Sequence, residues 1–171
     1  MRSKTPILPA NSLNYFKFSF QVSPPFTYGP GVQPILMTCS EPPAGTLAVV
    51  SGWGTTTPGG SFASQLQAVE VFIIQHEECN AAYANYSLIT VNMICAVGPD
   101  GSKGPCEGDS GGPLVANGEL VGIVSWTLSC ALDGYPGFYS NIATLWSFIT
   151  EQTGVRCNQM SHRAHDSFKI T

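Results

Sequence analysis

The chain has 171 residues, enough for one domain with a good core or a small domain with tails. Charged residues make up only 11% and hydrophobic residues 43%, while 18 glycines and 13 prolines point to the many turns of an all-β protein. Seven basic residues against eleven acidic ones give a net charge of −4, which offers nothing to a nucleic-acid partner, and no apolar run approaches the length of a membrane span.

Residues 1 to about 30 read as irregular and proline-punctuated, with a short aromatic, alternating strand at Tyr15–Val22. No long apolar stretch follows Met1-Arg2-Ser3-Lys4, so no signal peptide is expected. After a turn at Pro42, Pro43 and Gly45, the β-branched run Leu47–Trp53 predicts a strand ending in Ser51-Gly52-Trp53-Gly54, with Trp53 as an aromatic plug. Thr55–Ser61 is a loop, and Leu66–Ile73 a strand buried in part on both faces. His76–Tyr83 has helical character, with Glu77 and Glu78 in the first turn where the helix dipole favours acids. Asn92–Val97 is a short strand. Leu114–Ala116 and Leu120–Trp126 form a hairpin around Asn117-Gly118, the preferred two-residue turn. Gly137–Ile142 is a further strand. Ala143–Gln152 predicts a helix with Leu145, Phe148 and Ile149 on one face, stopped near Gly154, and the polar tail from Arg156 is expected to be disordered.

Six cysteines, an even count, fit a disulfide framework in an oxidising compartment or a set of buried thiols. No CxxC pair occurs and the three histidines do not cluster beside the cysteines, so neither a zinc site nor any other metal or cofactor is implied. Asn85-Tyr86-Ser87 is an N-glycosylation triplet.

The stretch with the most chemistry is Cys106-Glu107-Gly108-Asp109-Ser110-Gly111-Gly112-Pro113. Glycines around a serine allow backbone conformations closed to other residues and let N–H groups approach a reacting carbonyl. GDSGGP resembles the nucleophile motif of the trypsin/chymotrypsin family of serine proteases. Ser51-Gly52-Trp53-Gly54 resembles the first strand of that family's second barrel, and Val32–Leu36 the segment leading into it. The resemblance implies an all-β fold: an antiparallel Greek-key barrel with a C-terminal helix over residues 32–155, the first barrel being missing. Residues 1–31 would then be an irregular segment with a remnant of that first barrel, and 156–171 a tail.

In this family the serine is activated by a histidine that a buried aspartate orients, because a serine hydroxyl is a weak nucleophile until a base takes its proton. Here the histidines are His76, at a helix start, and His162 and His165 in the tail, and the first aspartate is Asp100. The resemblance therefore assigns Ser110 as nucleophile and the Gly108 and Ser110 backbone as oxyanion hole, and leaves the triad histidine and aspartate absent. Active members pair the aspartate before the serine with a freshly cut N-terminal amine. With no such amine, Asp109 is expected to swing outward and leave the loop zymogen-like. The substrate pocket implied has Gly104 at its base, Ser125-Trp126-Thr127 and Pro136-Gly137-Phe138 as walls and Glu107 at its mouth. Gly104 stands where trypsin-like enzymes carry an aspartate, and Thr127 where a glycine is usual, so small or apolar side chains are expected rather than lysine or arginine.

Cys79–Cys95 and Cys106–Cys130 fit two family bridges, and Ala48 and Ala116 occupy both halves of a third. Cys39 and Cys157 either bridge each other or are left single, the second reading being preferred. The resemblance implies a serine-type endopeptidase relative, extracellular by family and cysteine usage, that lacks triad catalysis as given. A polypeptide substrate or protein inhibitor would be its partner if the first barrel were supplied. The alternatives are a non-catalytic binding protein using the old cleft, and a fragment without independent function.

Overall fold

The structure, a computed structural model, describes residues 22–86, 88–101, 103–130 and 134–157. The expected strand at Tyr15–Val22, His162, His165 and nearly all of the tail lie outside the described residues. The chain divides into two compact units at Pro34/Ile35. In the first, Gly29 and Val32 exchange backbone hydrogen bonds of 3.0 and 3.1 Å, and Gln33 Nε2 donates to Gly29 O.

The second unit holds the strands β1 (Leu36–Met37), β2 (Leu47–Gly52), β3 (Gln67–Ile73), β4 (Met93–Val97), β5 (Pro113–Ala116), β6 (Glu119–Trp126) and β7 (Gly137–Asn141), with helices α1 (His76–Ala82) and α2 (Trp146–Thr153). Strand order is β1-β6-β5-β2-β3-β4-β7, and a β6–β7 pairing closes β2 to β7 into a six-stranded antiparallel barrel. The chain runs β2-β3-β4 as neighbours, crosses to place β5 beside β2, and returns through β6 to β7, a Greek-key path. Closure removes the exposed edges that an open sheet would present. The short β1 adds in parallel beside β6, with Leu36 opposite Glu119.

The barrel interior is filled by alternate residues of successive strands: Ala48 and Val50, Val71 and Ile73, Ile94 and Ala96, Leu114 and Ala116, Val121, Val124 and Tyr139. Strand β3 follows this alternation, with Val71 and Ile73 buried and Glu70 exposed, rather than burying both faces. Strands β4 and β7 are buried on both sides, β7 placing Tyr139 in the barrel and Phe138 outside it. The outward Met93 and Cys95 of β4 lie under a second cluster with Cys79, Tyr83, Ile89 and Phe138, which seats α1 on the barrel wall through the Cys79–Cys95 bridge.

The hairpin turn is as expected: Asn117 and Gly118 take positive φ of 52° and 78°. Helix α2 begins three residues later than its periodicity predicts. The Asn141 side chain accepts from Ala143 N–H at 3.0 Å and the Thr144 hydroxyl donates to Asn141 O, so a local turn outcompetes the first helical turn. Gly154, with φ of 72°, ends the helix.

The observed register, with Val49 opposite Val115, also places Ala48 opposite Ala116, both facing the core. Directly opposite residues on antiparallel strands have Cα atoms about 4.5–5.5 Å apart, within disulfide reach. An Ala48→Cys/Ala116→Cys variant is therefore expected to form a bridge and raise the unfolding free energy by about 2–4 kcal/mol. Urea titrations of the oxidised variant and of the oxidised wild-type chain check this, and an unchanged midpoint would refute it.

Candidate active site

The connection from β4 to β5 carries the Cys106–Pro113 loop. It is folded by short backbone bonds: Asp109 N–H donates to Cys106 O at 3.1 Å and Gly112 N–H to Asp109 O at 2.8 Å. Gly108 and Gly111 take φ of 94° and 85°, which side-chain-bearing residues adopt at a cost. Ser110 is exposed at the apex. Gly111 N–H donates to Val124 O and Val124 N–H to Gly112 O, each at 2.8 Å, so the loop is pinned one residue short of Ser125-Trp126-Thr127. Among the described residues, no acceptor is paired with the N–H groups of Gly108 and Ser110.

Asp109 does not swing outward. Its Oδ1 accepts from Gly54 N–H at 2.8 Å and its Oδ2 from Cys106 N–H at 2.9 Å. The expectation of an outward turn assumed that only an amine could satisfy this carboxylate; two backbone donors do so instead, which removes the penalty for tucking it in. The tuck depends on Gly52 and Gly54. A Cβ at Gly52 would lie 2.0 Å from Asp109 Oδ1, and one at Gly54 would lie 2.6 Å from it and 2.7 Å from Glu107 O. Trp53 between them is 59% exposed, so it is not the plug that the strand reading expects. The G-x-G spacing within Ser51–Gly54 was the signal for a backbone that must pass close to another group.

The pocket residues divide. Trp126 packs on Phe138 and edge-on to Tyr83, with ring centroids 4.5 and 5.5 Å away. The β6–β7 register shifts between Val124 and Trp126, so Ser125 stands outside the regular ladder. The Thr127 hydroxyl donates to Ser129 O at 2.9 Å. The Pro105 ring lies against Gly137, where a Cβ would come within 2.8 Å of it, so the Gly104-Pro105 strip is brought to the Gly137 wall. Gly104 also lines a cavity of about 420 Å³ together with Asp109, Gly54, Ala68, Val69 and Cys130. The Glu107 carboxylate is placed on the loop after β2, accepting from Gly59 N–H at 3.3 Å, while its backbone oxygen accepts from Thr55 N–H.

All three bridges are formed: Cys79–Cys95, Cys106–Cys130 and Cys39–Cys157. The last corrects the preferred reading of two single cysteines, because α2 carries the chain back beside β1, where Trp146 Nε1 donates to Thr38 O at 2.8 Å. His76 is half-buried at the start of α1, its Nδ1 3.4 Å from Asn80 Nδ2. Among the described residues, no histidine or carboxylate is hydrogen-bonded to Ser110, and no cluster of three His, Cys, Asp or Glu side chains could hold a metal ion. No helix among them is long and apolar enough to cross a membrane.

Burial pushes the Tyr139 phenol well above its ordinary range, and the Asp109 charge adds to the shift. Tyr83 is also raised, chiefly by burial, against the lowering effect of hydrogen bonds at Thr127 and Leu128. A phenol harder to ionise in the fold than in the unfolded chain holds its full stability below the unfolded pKa of about 10 and loses it as pH rises beyond that value. For Tyr139, stability is expected to fall by up to about 1.4 kcal/mol per pH unit in that range. A Tyr139→Phe variant should flatten the slope in urea titrations; an unchanged slope would contradict the assignment.

The trypsin family model matches residues 18–149. Trypsin II-P29 of Gallus gallus is 45% identical over 125 residues, covering 72% of this chain and 50% of its own length. The vitellin-degrading protease of Bombyx mori is 42% identical over 142 residues, covering 81% of this chain and 54% of its own. In structure, neuropsin, a serine protease expressed in the limbic system of mouse brain, is similar with a TM-score of 0.68 and 36% identity, over 74% of this chain and 56% of that one. The chain thus spans about half the length of the curated relatives it matches. The matched span holds the pinned GDSGGP loop, the Gly52/Gly54 cradle and the closed barrel, and the chain belongs to the trypsin family of serine proteases.

Proposed function

We propose that this chain carries the nucleophile half of a serine endopeptidase site and does not hydrolyse peptides by itself. Ser110 is the nucleophile, and the Gly108 and Ser110 amides are the oxyanion donors. Gly104, Glu107, Ser125, Trp126, Thr127 and Gly137 bound the pocket for the substrate side chain. The observation that carries this reading is the pinning of the loop to Val124, with Ser110 exposed and both amides without an acceptor among the described residues. Peptide hydrolysis also needs a base and its orienting carboxylate, and among the described residues no histidine or carboxylate is hydrogen-bonded to Ser110. Both would come from a polypeptide segment outside them. With Gly104 uncharged and Thr127 on the wall, the pocket suits small or apolar side chains. Three disulfides fit an extracellular setting.

A fluorophosphonate probe tests the proposal. Loss of the base removes orders of magnitude of serine reactivity. The 171-residue chain is expected to react no faster than its Ser110→Ala variant. Rapid, saturable labelling that the variant abolishes would overturn the claim of inactivity.

A further inference from the structure

Outside the active site, one motif is left without a role: Asn85-Tyr86-Ser87, the single N-x-S/T triplet in the 171 residues. Its surroundings are those of an acceptor. Helix α1 ends at Ala82, and Tyr83-Ala84-Asn85-Tyr86 then forms a tight turn, closed by Tyr86 N–H donating to Tyr83 O at 2.8 Å. Asn85 is the third residue of that turn, and Ala84, Asn85 and Tyr86 are all exposed. The turn is held from beneath, because Tyr83 is fully buried and its hydroxyl donates to Pro136 O at 2.8 Å. Asn85 therefore sits on a solvent-facing turn that Tyr83 anchors from beneath and that Tyr86 braces edge-on against Tyr135, with ring centroids 5.7 Å apart.

The same connection is unusually apolar for a free surface: Tyr86, Leu88 and Val91 are 58%, 72% and 69% exposed. Such a group within one loop leaves apolar area in water that a covering group would remove. We propose that Asn85 is N-glycosylated in the secretory compartment and that the glycan covers this Tyr86–Leu88–Val91 ridge. In the step itself, Asn85 Nδ2 forms a bond to the anomeric carbon of a lipid-linked oligosaccharide. The bond from that carbon to the lipid diphosphate breaks, the diphosphate departs with the bonding pair, and the amide proton passes to the transferase. The inference rests on the extracellular reading and is independent of catalysis.

The full chain is expressed behind a cleavable secretion signal in a eukaryotic cell, and medium and cell lysate are both read by mass spectrometry. Removal of the signal reports entry into the compartment, so a bare Asn85 tells on the acceptor and not on routing. The expected product loses one discrete mass on treatment with peptide N-glycosidase. Asn85→Gln and Ser87→Ala each abolish that loss, and Ser87→Thr preserves it. A signal-processed chain with no glycan, or a glycan that persists in Asn85→Gln, overturns the proposal. For the covering role, enzymatic deglycosylation of the folded chain is expected to raise the binding of a hydrophobic dye, and an unchanged signal refutes it.

Discussion

Replacing Cys39 and Cys157 by serine is expected to cost the chain about 2–5 kcal/mol of stability. The bridge closes a loop with a sequence separation of 118 residues, wider than the 16 and 24 of the other two. Cross-linking restricts the unfolded chain more as the loop grows, and a loop of about 100 residues corresponds to roughly 4.7 kcal/mol in the entropic description. It also holds α2, none of whose residues is fully buried. Besides the bridge, α2 and the residues before it are tied to the start of the barrel by Trp146 Nε1 on Thr38 O and by Asn141 Nδ2 on Glu41. Urea titration of the Cys39→Ser/Cys157→Ser variant should show a lower midpoint, with Trp146 fluorescence changing ahead of the barrel transition as α2 detaches first. A loss below about 1 kcal/mol would mean that those hydrogen bonds hold α2 without the bridge.

Asp109→Ala is expected to release the Cys106–Pro113 loop from the end of β2. It leaves the Gly54 and Cys106 N–H groups without their carboxylate, and a buried orphan donor costs about 1–3 kcal/mol. The site is half-buried, so water recovers part of each penalty, and about 2–3 kcal/mol in total is expected. Asp109→Asn keeps one acceptor oxygen but presents an NH₂ to the other donor, and should fall between the wild type and Asp109→Ala. Denaturant unfolding gives the magnitudes, and amide hydrogen exchange at Gly54 shows whether the loop has come away from β2. If Asp109→Ala were neutral, the carboxylate would not be what ties Gly54 to the loop.

Much of the fold was legible because its signals are local. The Asn117-Gly118 turn, the β-branched run of β2, the glycine stop at Gly154 and the GDSGGP string each need only neighbours within a few residues. Strand β1 was not legible as a strand, since two residues carry no periodicity and their pairing with Glu119 and Leu120 is set by the barrel. The start of α2 was misplaced because Asn141, fully buried, uses its side chain to cap a turn at Ala143. Trp53 was misjudged because hydrophobic character does not say which side of a strand end faces the core.

By itself, then, the sequence determined the family, the GDSGGP motif and the longer strands of the barrel, all properties of residue identity and short spacing. The tertiary structure decided the closure of β6 on β7, the partner of Cys39 and the direction of Asp109. These turn on contacts across 55 residues between Gly54 and Asp109 and 118 between Cys39 and Cys157, and the free energy of such contacts depends on how the intervening chain packs.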